Sequence, residues 1–302
     1  MKRLTLRGGI PMDAAPLPKP RTRAELFRQA LRLHVPSMVA PNLCCTLAYL
    51  PALIWAEVAM QRFPTSESAA TAAQEQYLVP LLLGLFVCLT LTGPVQAGMA
   101  LLMRNWARNE SCYRFATMWG GLKRNWKQAL PVAAIGGIVP LLFYSTFRYY
   151  GQMSENASAL YLIPLALTGL LCVFLLLMQQ TVYTLLVTYA LPLGKLLKNA
   201  FVLAVLELPK SLLVLLLSAL PIAGFAALIA LMPSRLGLLL VLGCAYYALI
   251  GLALERFLFA SFANYACEKH MNSKIPGARV DIGLTTERTV CGMDAQGAAA
   301  SS

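Results

Sequence analysis

Six long stretches of this chain contain no Asp, Glu, Lys or Arg, and they dominate its pattern. They are residues 35–56, 76–103, 128–147, 156–194, 211–234 and 236–254. A helix needs about 20 predominantly apolar residues to cross the ~30 Å hydrocarbon core of a bilayer. The pattern therefore predicts an all-α polytopic membrane helix bundle with six transmembrane helices.

The longest stretch, 156–194, is interpreted as one helix rather than two. Two spans of at least about 17 residues and a turn would take up the whole length of the stretch. No turn signal lies near its middle. Pro164 then lies in the first turn and Pro192 just beyond the end, where a missing N–H does least harm. The predicted spans are residues 37–60, 77–103, 128–147, 161–190, 211–233 and 236–259.

The composition agrees with this pattern. Of the 302 residues, 58% are hydrophobic and 13% are charged, and the mean hydropathy is +0.64. An average soluble domain is about 45–50% apolar and about 25% charged. A water-soluble globular fold is excluded, because too few polar residues exist to cover its surface.

The charge is unbalanced, with 25 Lys+Arg against 13 Asp+Glu. Eight basic residues lie in the N-terminal arm, six in the second loop, three in the fourth and five in the tail, where Arg256 is counted. The other three loops hold only Arg62, Arg148 and Arg235. Basic loops stay on the cytoplasmic side, so both termini are predicted to be cytoplasmic. This orientation explains the basic excess, and nucleic acid is not an expected partner.

Outside the spans the chain divides into an arm and a tail. Residues 1–36 form a basic cytoplasmic arm, and their apolar periodicity over 24–35 predicts a short helix at the inner membrane interface. Residues 37–260 form the six-span domain. Residues 261–302, rich in Gly, Ala, Ser and Thr, are expected to be a disordered cytoplasmic tail.

The second loop combines basic and aromatic residues at helical spacing, which is typical of a segment at lipid headgroups. Gly120 and Gly121 would permit a break within it. One interpretation is ordinary anchoring to anionic inner-leaflet lipids, and the other is a cytoplasmic docking loop for another protein. The residues of this candidate docking loop are Arg114, Trp119, Lys123, Arg124, Trp126 and Lys127.

The usual catalytic patterns are absent from the sequence. It contains no H-E-x-x-H, C-x-x-C, G-x-S-x-G or P-loop motif, and its two histidines, His34 and His270, lie near opposite ends. The only aspartates are Asp13, Asp281 and Asp294, all in the arm or the tail. We therefore predict no catalytic residue, no metal site and no cofactor, and the chain is not expected to be an enzyme.

Neutral polar residues occur inside the spans, and Gln96, Gln179 and Gln180 are the candidates for a polar lining. Hydrogen bonding between helices explains such residues, and a path for a sugar-like solute is the alternative. The Gly93-Pro94 pair can bend the second span, and interrupted helices often mark binding sites in carriers.

Three short motifs resemble the YesL-like family of bacterial integral membrane proteins, whose domain is of unknown function. They are Thr-Gly-Pro-Val-Gln-Ala-Gly at 92–98, Lys-Arg-Asn-Trp-Lys-Gln-Ala at 123–129, and Leu-Leu-Lys-Asn-Ala-Phe at 196–201. The resemblance covers roughly residues 37–217. It implies a six-span protein of the bacterial cytoplasmic membrane, often encoded in Gram-positive bacteria near carbohydrate uptake and sensing genes, with no assigned catalytic residue.

Together these observations favour a non-enzymatic multi-pass membrane protein. The first hypothesis is an accessory or regulatory component of a carbohydrate transport or sensing system, with subunits of an ABC sugar transporter or a sensor kinase as partners. The alternative is a small-solute permease or a transporter subunit that uses the neutral polar lining.

The predicted orientation can be tested with a reporter fusion. Alkaline phosphatase, which needs disulfides formed outside the cytoplasm, is expected to be inactive when fused after Lys127 and active when fused after Thr65, in the first outer loop. Enzyme activity in intact cells is the measurement. Activity of the Lys127 fusion would invert the inside–outside assignment.

Overall fold

The computed structural model describes residues 20–61, 67–156, 159–275 and 282–284. These residues form ten α-helices and contain no β-strand. The helices are α1 (Arg23–His34), α2 (Val39–Met60), α3 (Glu67–Leu91), α4 (Gly93–Ala107), α5 (Arg114–Asn156), α6 (Leu162–Thr188), α7 (Leu193–Leu206), α8 (Leu208–Leu231), α9 (Leu236–Tyr246) and α10 (Leu252–His270).

Five helical segments of the described chain are long and apolar enough to cross a membrane, and the bent pair α3–α4 adds a sixth when it counts as one span. The outer surfaces of these segments are apolar, with Leu231 77% exposed and Leu216 68% exposed. Soluble proteins rarely expose large contiguous apolar patches. The chain is therefore an all-α polytopic membrane protein, which confirms the predicted fold class. The inside–outside orientation stays a prediction.

Three of the predicted spans coincide with single helices. The prediction of 37–60 corresponds to α2, 161–190 to α6 and 211–233 to α8, each within three residues at either end. The third predicted span, 128–147, is only the middle of α5, which extends beyond it in both directions.

The last crossing extends farther than the sequence predicts. A π-helical turn, Tyr247–Gly251, joins α9 to α10, and α10 continues past residue 260 to His270. Buried apolar residues such as Phe262 and Cys267 continue its packed face, which explains why the helix does not stop. The predicted tail therefore begins later than residue 261. Most of its remaining residues, and residues 1–19 of the predicted arm, lie outside the described residues.

The second crossing bends by 48° between α3 and α4. The Thr92 hydroxyl donates to the carbonyl oxygen of Leu89 at 2.7 Å, and Pro94 has no N–H with which to continue the helical ladder. A Cβ atom on Gly93 would lie 2.4 Å from the carbonyl oxygen of Ala129. The bend predicted at Gly93-Pro94 is confirmed, and it brings α4 against α5.

The backbones of helices α4 and α5 are in direct contact. A Cβ atom on Gly98 would lie 2.4 Å from the carbonyl oxygen of Met118, and one on Gly121 would lie 3.0 Å from Cα of Gly98. The break that Gly120 and Gly121 permit does not occur, because α5 is continuous from Arg114 to Asn156. Gly121 instead lets the two helices pack closely, as small residues do between membrane helices.

The segments that carry most of the basic residues meet at one end of the bundle, which we call the basic end. Arg23 of α1 pairs with Glu268 of α10, and Nη2 of Arg108, at the end of α4, lies 3.9 Å from the same carboxylate. Glu207, between α7 and α8, binds Lys269 of α10. Helix α1 at the start of the bundle and the end of α10 therefore lie on the same side, as an even number of crossings requires.

Helix α1 corresponds to the short helix predicted over 24–35, and it packs onto the bundle. It begins with a capping box, in which the Thr22 hydroxyl accepts from the backbone N–H of Glu25 at 3.2 Å. Ala30 is fully buried. The His34 ring stacks on Trp106 of α4 with centroids 4.7 Å apart, and burial lowers the pKa of His34 to about 4. This ring is therefore neutral at pH 7.

The α4–α5 contact yields a stability prediction. Gly98→Ala should destabilise the protein by roughly 1–3 kcal/mol, because the new methyl group meets backbone rather than a movable side chain. Gly169→Ala is the matched control: it lies inside α6 with open space around it, so it should be neutral or stabilise by up to about 1 kcal/mol. Thermal unfolding in detergent measures both. Equal unfolding temperatures for the two variants would contradict the close approach.

Candidate functional site

Two crossings of the bundle are interrupted, and both interruptions face helix α2. The first is the bend at Thr92 between α3 and α4, and the second is the π-helical turn between α9 and α10. A bilayer interior offers no water to backbone groups that lose their helical partners, so other protein groups must bind them. π-Helical turns occur frequently at functional sites.

Asn42 of α2 binds backbone groups that the π-helical turn leaves without regular helical partners. Its Nδ2 donates to the carbonyl oxygens of Tyr247 at 2.8 Å and Ala248 at 2.7 Å, and its Oδ1 accepts from the backbone N–H of Ala253 at 2.7 Å. Asn42 is fully buried. One side chain thus satisfies three backbone groups around the wide turn and fixes α10 against α2.

Gln96 of α4 connects the first interruption to α2 and α10. Its Nε2 donates to the hydroxyl of Tyr49 at 3.0 Å and to Oγ1 of Thr92 at 2.6 Å. Its Oε1 accepts a hydrogen bond from the guanidinium of Arg256. Because a guanidinium can only donate, the amide must turn its oxygen towards Arg256 and its nitrogen towards the two hydroxyls.

Arg256 of α10 is held by an amide and two aromatic rings. Its Cζ lies 4.7 Å from the ring centroid of Tyr183 on α6 and 5.9 Å from that of Phe259. Within the described ranges it makes no ion pair with a carboxylate. We call the set Tyr49, Thr92, Gln96, Tyr183 and Arg256 the polar centre.

The polar centre lies between helices: Thr92 and Tyr183 are buried, and Tyr49, Gln96 and Arg256 are half-buried. Its residues come from α2, α4, α6 and α10 and from the α3–α4 bend. Tyr49 lies at the middle of α2, about 15 Å from either end at 1.5 Å per residue. Arg within a membrane helix costs about 2.5–3.5 kcal/mol on the translocon scale. Ionisable residues at such positions are usually functional.

The structure does not bring the three predicted lining residues together. Gln96 belongs to the polar centre, whereas Gln179 donates to the carbonyl oxygen of Val132 on α5 at 3.0 Å. Gln180 is buried and donates to the carbonyl oxygen of Ser211 on α8 at 3.1 Å. Neighbouring residues on α6 point to different helices, since successive positions are ~100° apart. Gln179 and Gln180 therefore tie helices together.

The six residues of the candidate docking loop are all exposed, and they lie at the start of α5. Trp119 is 57% exposed and Trp126 is 46% exposed. Lys123 Nζ lies 5.0 Å from the Trp119 ring and Lys127 Nζ lies 5.7 Å from the Trp126 ring. The loop is thus a rigid helical face of cations and indoles. Met118 and Gly121 of the same turns are buried against α4.

Comparisons with protein-family models, curated proteins and solved structures find no match to this chain. The resemblance to the YesL-like family therefore stays a prediction, and the site is interpreted from its own geometry.

Sequence reasoning missed Arg256, Tyr49 and Tyr183 as members of a site. The predicted sixth span, 236–259, includes Arg256, but its charge groups it with the basic residues of the tail. A signal for a longer helix does exist, since Phe259 and Phe262 follow it three residues apart. Nothing in the sequence indicates that Tyr183 faces this arginine.

A second charged cluster, at the basic end, joins α7–α8 to α10. The Glu207 side chain is 4% exposed, and its carboxylate oxygens lie 2.5 Å from Lys269 Nζ, 2.8 Å from His270 Nε2 and 3.3 Å from Lys210 Nζ. Burial by itself raises the pKa of Glu207, but hydrogen bonds from these three groups outweigh it and lower the pKa to about 2. The cluster fixes the ends of α8 and α10 together at the basic end.

Glu207 predicts a pH dependence of stability. Its folded-state pKa of about 2 lies below the ordinary 4.5, so its contribution is complete above pH 4.5 and is lost as the pH falls towards 2. Wild type should unfold at a higher temperature than Glu207→Gln at pH 7, and the gap should close between pH 4.5 and 2. Thermal unfolding in detergent across this range measures the gap.

Glu110→Gln is the control for this measurement. Glu110 is 39% exposed and lies 3.9 Å from Arg108, and exposed pairs contribute little to stability. Its unfolding temperature should stay near that of wild type at every pH. A gap between wild type and Glu207→Gln that does not change with pH would refute the assigned role of Glu207.

Proposed function

We propose that this chain is a non-enzymatic permease, or the membrane subunit of a transporter, whose small solute binds at the polar centre. The observation that carries the proposal is the position of Arg256, which Gln96 and Tyr183 hold inside the bundle beside two interrupted helices. Polar and ionisable residues at membrane depth mark solute pathways in many proteins, and interrupted helices form the binding sites of many carriers.

The two interruptions also give the bundle places at which it can change shape. The bend at Thr92 and the π-helical turn Tyr247–Gly251 lack regular helical hydrogen bonds, and side chains bind the affected backbone groups. Segments on either side can reorient there without exposing new backbone groups to lipid. Since Gln96 follows one interruption and Arg256 the other, such a change would alter the polar centre directly.

A second candidate function is that of an accessory or regulatory subunit, and the exposed face of α5 favours it. Trp119 and Trp126, each beside a lysine, form a rigid surface suited to anionic inner-leaflet lipids or to a partner protein. Subunits of an ABC sugar transporter or a sensor kinase are the partners that the family resemblance implies. The link to carbohydrate, and to the bacterial cytoplasmic membrane, rests on that resemblance alone.

The permease proposal is tested with paired glutamine variants. Uptake of 14C-labelled glucose, glycerol, lactate and benzoate, and of 32P-labelled phosphate, is measured in proteoliposomes. Wild type should take up at least one of these solutes, and Gln96→Leu should reduce that uptake to the level of empty liposomes. The reason is that leucine removes both the acceptor for Arg256 and the donor to Tyr49.

Gln179→Leu is the matched control, since it makes the same change on α6 and removes one hydrogen bond to the α5 backbone. Such bonds contribute only about 0.6 kcal/mol on average, so uptake should be retained. Folding of each variant is checked by size-exclusion chromatography. No uptake of any solute by wild type, or equal loss in both variants, would overturn the proposal and favour the accessory role.

A further inference from the structure

The guanidinium of Arg256 has more donors than the described residues satisfy. A guanidinium carries five N–H groups and no acceptor. One nitrogen donates to Gln96 Oε1, and the remaining N–H groups find no acceptor within the described chain. The rings of Tyr183 and Phe259 stabilise the charge but leave these donors open.

The Tyr183 hydroxyl is the second open donor. Tyr183 is 2% exposed, and its buried hydroxyl has no hydrogen-bond partner among the described residues. A buried hydroxyl without a partner is unfavourable, and one in a native structure calls for an explanation. The centroid of its ring lies 4.7 Å from Arg256 Cζ, so the two open donors belong to side chains in contact.

Two open donors, one of them cationic, define the chemistry of a missing partner. Such a partner must supply acceptors and negative charge. An ionised carboxylate has acceptors only and binds a guanidinium through two parallel hydrogen bonds. A neutral sugar-like solute, the ligand expected from the sequence, would fill the donors but offer no negative charge to pair with the guanidinium.

The charges near the polar centre limit the solute to one negative charge. Arg256 is the one positively charged residue of the polar centre, and Glu255, next to it in the chain, lies within electrostatic range of it. A dianion such as hydrogen phosphate would exceed the single positive charge and would also be repelled by Glu255. A monocarboxylate carries the least negative charge that still pairs with the guanidinium.

Arg256 is half-buried, but the burial of its partner Tyr183 favours a soluble anion over a lipid headgroup, which offers the same chemistry. The residues that contact the guanidinium belong to α4, α6 and α10. Tyr183, which carries the second donor, is almost fully buried among these helices. A phospholipid would have to bring two acyl chains to this position, whereas a small carboxylate needs only a path between helices.

We infer that the polar centre binds a small monocarboxylate, with Arg256 pairing with the carboxylate and the Tyr183 hydroxyl donating to it. The inference rests on the proposed permease function and names its substrate class.

The experiment uses the full chain in phosphatidylcholine nanodiscs. Three carboxylates are compared with their neutral amides: acetate with acetamide, lactate with lactamide, and benzoate with benzamide. Sodium chloride keeps the ionic strength constant. At least one carboxylate should raise the unfolding temperature in a saturable manner, and its amide should not.

Three variants locate the binding. Arg256→Gln should abolish the shift. Tyr183→Phe removes a single oxygen atom and should weaken the apparent affinity about 10-fold or more, because hydrogen bonds to charged groups are strong. Tyr144→Phe is the matched control, since it removes another buried hydroxyl that lacks a partner, on α5, and its affinity should equal that of wild type.

Three results would overturn the inference. The first is that no carboxylate exceeds its amide, and the second is that Tyr183→Phe and Tyr144→Phe bind equally well. The third is stabilisation that requires phosphatidylglycerol in the nanodisc and no soluble carboxylate, which would identify a lipid phosphate as the ligand. Uptake of a neutral solute without carboxylate binding would remove this inference alone, whereas carboxylate binding without any uptake would remove the permease proposal alone.

Discussion

Every backbone N–H and C=O group in a bilayer must find its partner within the protein, and the polar centre follows from this constraint. Two crossings interrupt their own helical ladders, at Thr92 and at the π-helical turn Tyr247–Gly251. Side chains therefore have to reach the freed groups, and Asn42 does so for the π-helical turn. Polar residues accumulate where the helices are interrupted. The same residues that preserve the fold thus create a region in which a charged side chain such as Arg256 is accommodated.

The π-helical turn also decides which way Arg256 faces. An α-helix advances ~100° per residue, and a π-helical turn accommodates additional chain within a helix of otherwise regular hydrogen bonding. Every side chain of α10 is rotated accordingly relative to α9. Gly251 is fitted closely to this geometry, since a Cβ atom there would lie 2.8 Å from the Tyr247 ring. The contact of Arg256 with α4 and α6 is consequently a property of the turn as much as of the arginine.

Local sequence signals predicted the crossings well and the site poorly, and the difference has a physical origin. Apolar length determines that a segment crosses, and a Gly-Pro pair determines where it bends, so α2, α6 and the bend at Gly93 could be predicted. The role of Arg256 could not, because a basic residue near the end of a span resembles the flanking charges that orient a membrane protein. In the fold the Arg256 guanidinium is held by Gln96, 160 residues away, and by Tyr183 on a third helix. Gln179 and Gln180 illustrate the converse, since both resembled a lining and both bind helix backbone.

The polar centre and the exposed face of α5 are joined through α4, so the two candidate functions need not be independent. Gln96 and Gly98 are two residues apart on one short helix, and Gly98 lies against the backbone of Met118 with no room for a methyl group. Met118 precedes Trp119, the first indole of the exposed face. Close-packed interfaces transmit displacement because they have little compressibility. A shift of Gln96 on solute binding would therefore displace the surface that lipids or a partner contact. A transporter subunit with a regulatory face would need no additional helix or domain to link the two sites.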